Sequence, residues 1–84
     1  MTTAAPVFDL LEYDRFTQTF ETVAYHLPWL TAAHSMRDRM DIVREDLEGA
    51  RLQVWPANTE GVMCAQIGGS VTAPEFEWVI RPAL

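Results

Sequence analysis

Two apolar stripes followed by an abrupt change of period constrain this chain most strongly. Tyr13, Phe16, Phe20, Val23 and Leu27 form the first stripe, and Met36, Met40, Val43, Leu47 and Ala50 the second. Alternating steps of three and four residues gather each set on one side of a helix. Beyond Ala50 the period becomes two, through Leu52 and Val54 and again through Phe76, Trp78 and Ile80, as in a half-buried strand. The pattern predicts an α+β fold of order ααβββ in two layers, a helical hairpin packed on a three-stranded antiparallel meander. Phe20, Met40, Leu47, Met63 and Trp78 are the expected shared core.

Local signals set the boundaries. Asp9 has the position of an N-cap, and Glu12 three residues on completes a capping-box spacing. The first stripe stops at Pro28, which cannot continue a helix and restricts Leu27. Thr17, Thr19 and Thr22 lower helix propensity there, so packing must hold this helix. Pro28-Trp29-Leu30 reads as a short connector, with Thr31 as the cap of a single turn. Ser35 caps the second helix with Asp38 in its first turn, and Gly49 ends it. Strands are expected at 51–55, 62–67 and 75–81, the first and last closed by Pro56 and Pro82, with 56–61 as a turn. Gly68-Gly69 makes either a tight hairpin into Val71 or the start of a loop to Pro74. Residues 1–8 read as a flexible N-terminal tail and 9–84 as one compact domain.

An 84-residue chain buries roughly 60–65% of its unfolded surface. Three Trp, four Phe, two Tyr and four Met supply enough bulk for a core without a staple. The single cysteine, Cys64, excludes an intramolecular disulfide and favours a reducing compartment. No apolar run approaches the roughly 20 residues needed to span a bilayer, and the first residues carry no secretory signature. The expectation is a cytoplasmic protein without a membrane partner. Net charge is −6, which argues against phosphate binding and makes a nucleic-acid partner unexpected. The same charge suits a protein partner with a basic surface.

Candidate sites are surfaces rather than catalytic constellations. On the second helix, Arg37, Arg44 and Arg51 recur by sevens beside the apolar seam, and Asp38, Asp41, Glu45 and Glu48 form an acidic ridge. That ridge is either a recognition face or a solvated face laced by the pairs Arg37–Asp41 and Arg44–Glu48. A helix ridge splays its carboxylates, so it does not resemble the turning loop that calcium requires. His26 and His34 flank Pro28 and are suited to acid–base work near neutral pH. Their spacing to each other and to Cys64 matches no metal-ligand or nucleophile motif, and Cys64 in an apolar strand reads as a small inert hydrophobe. Gly68-Gly69 leaves a strand but enters no helix, so no phosphate loop forms. No catalytic residue, metal or cofactor is expected.

The sheet has a second face. If Leu52, Val54, Met63, Ala65, Ile67, Phe76, Trp78 and Ile80 face the helices, then Trp55, Val62, Cys64 and Val79 point away. An apolar centre rimmed by Arg51, Glu75, Glu77 and Arg81 has the make-up of a protein contact; the alternative is that Trp55 folds over a sheet edge or the loop after Gly69 covers the face. The expected partner-binding residues are Trp55, Val62, Val79, Glu75 and Glu77 on the sheet, with Asp38, Asp41 and Glu45 on the helix. These features fit a small acidic non-enzymatic protein, bacterial or phage in type, that binds and occludes a partner protein, as inhibitors of anti-defence or immunity type do. One alternative is an accessory subunit of a larger complex or homodimer. Another is a small ligand-binding domain or enzyme using His26 and His34.

Overall fold

A computed structural model describes residues 5–83 of the chain. Its elements are β1 (Phe8–Asp14), β2 (Thr19–Leu27), α1 (Trp29–Asp46), β3 (Leu52–Trp55), β4 (Met63–Ile67) and β5 (Phe76–Pro82). The strands form one antiparallel sheet of order β2-β1-β5-β4-β3. The α+β class and the two layers are as expected, and β3-β4-β5 is the anticipated meander. The helical hairpin is not present: one helix packs on five strands.

The segment expected as a first helix is the β1–β2 hairpin. Tyr13 pairs with Phe20 and Asp14 with Thr19 across it. Asp14 Oδ1 accepts the backbone N–H of Phe16 at 2.8 Å and of Thr17 at 3.4 Å, closing the turn. Gln18 completes the reversal at φ 58°. The three-and-four spacing arose because two alternating strands were joined through that turn. Tyr13 and Phe20 lie together on one sheet face, their rings 5.3 Å apart. Val23 and Leu27 pack against the core instead, while Phe16 sits exposed in the turn. The threonines that weakened the helix suit strands. Asp9 is therefore no helix cap. It is buried in β1, and its Oδ1 accepts the backbone N–H of His26 at 3.0 Å.

The connector Pro28–Leu30 opens α1 rather than preceding it. Pro28 holds the N-cap position, and its carbonyl accepts the N–H of Ala32 at 3.0 Å. Ser35 is thus inside the helix and caps nothing. The second stripe does face the sheet: Ala32 and Met36 are buried, and Met40, Val43 and Leu47 pack against the core. The helix ends at Asp46, ahead of Gly49, whose φ of +80° belongs to the turn leading into β3. Arg39 fixes the helix to the sheet by donating to Glu12 Oε2 at 2.5 Å. Glu12 lies directly opposite Glu21 on β2, and such like-charge neighbours repel, so Arg39 also relieves the sheet.

Under α1 the strand alternation is as anticipated. Ala65, Ile67, Trp78 and Ile80 join Phe8 and Leu10 of β1 in the core, with Met63 and Phe76 at its margin. Phe20 does not belong to that core. It is 42% exposed, because its strand partner Tyr13 points away from the helix. Phe8 is buried in β1, so the ordered domain begins before residue 9; residues 1–4 of the expected tail lie outside the described residues. After β4 the chain makes a loop rather than a tight hairpin. Gly68 and Gly69 both have positive φ, and Ser70 and Ala73 exchange backbone hydrogen bonds of 3.2 Å. Among the described residues, no helix is long and apolar enough to cross a membrane.

Candidate protein-binding surface

Alternation along β3, β4 and β5 turns Trp55, Cys64 and Val79 to the face opposite α1. Register places them side by side and extends the row through Leu11 to Thr22, across all five strands. Trp55 and Val79 are half-buried on this outer face, Leu11 is buried between its neighbours, and Val62 is half-buried just before β4.

One end of the face is covered. Gln66 and Glu77 are the next paired residues along the strands, and the loop 68–75 folds over them. Gln66 is buried, donating from Nε2 to Val71 O and to Glu77 Oε1, each at 3.2 Å. Arg51 clamps the same loop, giving Nε to Gly69 O at 3.0 Å and Nη2 to Gln66 Oε1 at 3.0 Å and Gly68 O at 3.1 Å. Arg51 and Glu77 are therefore not free rim charges, as the sequence suggested; they are tied into the network that holds the loop. Glu75 is engaged elsewhere, 3.9 Å from Arg15 of the hairpin turn. Arg81 is exposed and remains at the rim. Among the described residues, the open part of the face thus runs from Trp55 through Val79.

Cys64 lies in the middle of that row, and its Sγ donates to Glu77 Oε1 at 3.1 Å. Burial, and then the hydrogen bond to and charge of Glu77, push the thiol up from 9.0 to about 12. The thiol is protonated at neutral pH and is a poor nucleophile. At pH 8 its alkylation by iodoacetamide should be at least about tenfold slower than in the urea-unfolded chain; equal rates would contradict the buried, hydrogen-bonded geometry. The contribution of the protonated thiol is fully present below the unfolded value near 9.0 and is lost as pH rises towards about 12.

On α1, Asp38, Asp41 and Glu45 are exposed, and Glu48 is exposed just beyond the helix. Neither expected pair, Arg37–Asp41 nor Arg44–Glu48, is formed: among the described residues the ion pairs are Arg15–Glu75 and Arg39–Glu12. The ridge therefore carries carboxylates without a cation within salt-bridge distance. Glu45 and Asp46 occupy the last turn, where Arg44 is the single basic residue. The carbonyl end of a helix already carries partial negative charge, so acids there add to one potential.

His26, the penultimate residue of β2, has φ 51° and is exposed; His34 is exposed on α1 beside Arg37, Asp38 and Asp41. Among the described residues, no group of three or more His, Cys, Asp or Glu side chains is placed to hold a metal ion.

Leu52 and Val54 were expected to face the helices. They do lie on the helix side, paired with Ile67 and Ala65, yet they are 43% and 38% exposed. The helix makes contact with β1, β5, β2 and β4 but not with β3. Alternation fixed the face of these residues but not the reach of the helix. No protein-family model, curated protein or solved structure matches this chain.

Proposed function

We propose that this chain is a small acidic, non-enzymatic protein that binds and occludes a partner protein, in the manner of inhibitors of anti-defence or immunity type. The observation that carries the reading is the part of the outer sheet face that no described residue covers, where Trp55 and Val79 lie in an apolar row. Trp is the side chain most often responsible for interface affinity, since its ring removes a large area from water while offering one polar handle. The acidic ridge of α1 supports a partner with a basic surface, because unpaired surface carboxylates raise the rate of encounter with cations.

An accessory subunit or a homodimer would use the same sheet face, and stoichiometry separates these roles. The tagged chain, immobilised and exposed to extract of its native host, should retain one protein in equimolar amount. Added back, the chain should suppress that protein's activity. Retention with full activity would favour the accessory-subunit role, and recovery of further copies of the chain alone would favour the homodimer. Function lost on His34→Gln with the fold intact would instead favour the third role, a ligand-binding domain or enzyme using His26 and His34.

A further inference from the structure

Strands β2 and β3 are the two edges of the sheet, and they differ. The β1–β2 ladder has two register shifts, and β2 carries the positive φ of His26 one residue before its end. Such irregularities twist an edge away from further pairing. The β3–β4 ladder runs in unbroken register from Leu52↔Ile67 to Trp55↔Cys64. The carbonyl of Arg51 accepts the N–H of Gly68 at 2.8 Å, so Arg51 directs its backbone groups at β4. By the alternation of an antiparallel ladder, Gln53 and Trp55 do the same, and Leu52 and Val54 turn their N–H and C=O outward. β3 is thus a straight edge with a free backbone on two residues whose side chains are also exposed.

Beside this edge, on the helix side, lies a cleft of about 570 Å³. Leu47, Ala50, Leu52 and Ile67 supply its apolar wall, and Asp41, Glu45 and Glu48 face it against a single Arg44. The carbonyl end of α1 adds to the negative potential. We infer that β3 accepts an extended segment of the partner protein as a sixth strand, with Lys or Arg on the side that faces α1 and apolar residues on the side next to Trp55. A basic side chain there lays its aliphatic stem along Leu52 and Val54 and reaches the carboxylates with its charged head. Backbone pairing supplies affinity, and the alternate side chains supply specificity. A second copy is the wrong occupant, since each chain carries a net charge of −6 and two such edges would bring like charges together. This inference rests on the protein-binding reading and names the chemistry of the partner's contacting segment.

The probe is an acetylated, amidated peptide of alternating lysine and valine. It should slow hydrogen exchange at the Leu52 and Val54 amides by at least about tenfold when saturating. The same peptide with every backbone N–H methylated keeps its charge but has no donor for β3 on either edge, and should bind at least about tenfold more weakly by calorimetry. A glutamate–valine peptide should not bind. Val54→Pro removes an N–H that has no partner within the fold, so the domain should keep its thermal midpoint while losing the peptide. Equal binding of the N-methylated peptide overturns the inference even if Val54→Pro unfolds, as does protection at β2 instead of β3. Amides of Leu52 and Val54 already protected in a dimer without peptide overturn it in favour of a second copy. Failure of the peptide with intact capture of the host partner refutes strand addition alone; failure of capture with intact peptide binding refutes the proposed function alone.

Discussion

Truncating Trp78 to alanine is expected to cost about 3–5 kcal/mol, the range for deleting a fully buried aromatic ring. Trp78 is 0% exposed, lies on the central strand β5 and stacks on Phe76 with centroids 6.1 Å apart. A domain of this size has a total stability of about 5–15 kcal/mol, so the variant should be largely unfolded well below the parent's thermal midpoint. One feature reduces the loss slightly: Trp78 Nε1 is buried without a hydrogen-bond partner, and removing it relieves a desolvated donor. Phe20→Ala, by contrast, removes a ring that is 42% exposed and touches Tyr13 on the opposite face. Its cost should be about 1 kcal/mol. Urea denaturation of both variants checks the pair. Equal losses would mean that Phe20 shares the core, as a helical first segment requires.

The second large effect concerns binding. Trp55→Ala should weaken the complex with the captured host protein by about 2 kcal/mol or more while leaving the thermal midpoint nearly unchanged. Trp55 is half-buried on an edge strand and contributes nothing to the core beneath α1. Reversing Asp41 and Glu45 to Arg should act differently, slowing association and flattening its salt dependence with a smaller effect on dissociation. Surface plasmon resonance at two salt concentrations separates the cases. Normal binding by Trp55→Ala together with abolished binding on charge reversal would move the contact from the sheet to the helix.

The sequence made α1, β3, β4 and β5 legible, along with the face each turns to the core. These elements carry one period over their length and end at Pro, Gly or polar residues. The hairpin was illegible for a physical reason. Its turn, Asp14 to Thr19, contains no Gly, Pro or Asn; it closes through the side chain of Asp14 and a left-handed Gln18. Without a turn signal, Tyr13, Phe16, Phe20, Val23 and Leu27 read as one helical stripe. What decides the outcome is non-local: β1 pairs with β5, whose edge the expected fold would have left open.

Of the expected surface residues, Trp55 and Val79 lie on the face opposite α1, as alternation suggested, because a strand's alternation is local. Glu77 and Arg51 were misjudged as rim charges because the hydrogen bonds that engage them, to Cys64 and Gln66 and to the loop 68–75, join residues distant in sequence. Leu52 and Val54 do face the helix side, but their exposure was not legible, because the footprint of α1 cannot be read from either strand or helix alone.

The three tryptophans make the central claim testable in one spectrum. Trp29 donates its Nε1–H to Gly61 O at 2.8 Å, Trp78 is sealed in the core, and Trp55 stands on the open face. With 5-fluorotryptophan incorporated, fluorine NMR reports each position separately once Trp29→Phe and Trp55→Phe variants have assigned the signals. At saturation with the host partner, the Trp55 resonance should shift or broaden while that of Trp78 stays in place. A saturated complex in which the Trp55 resonance is unmoved would contradict the assignment of the outer sheet face as the contact surface.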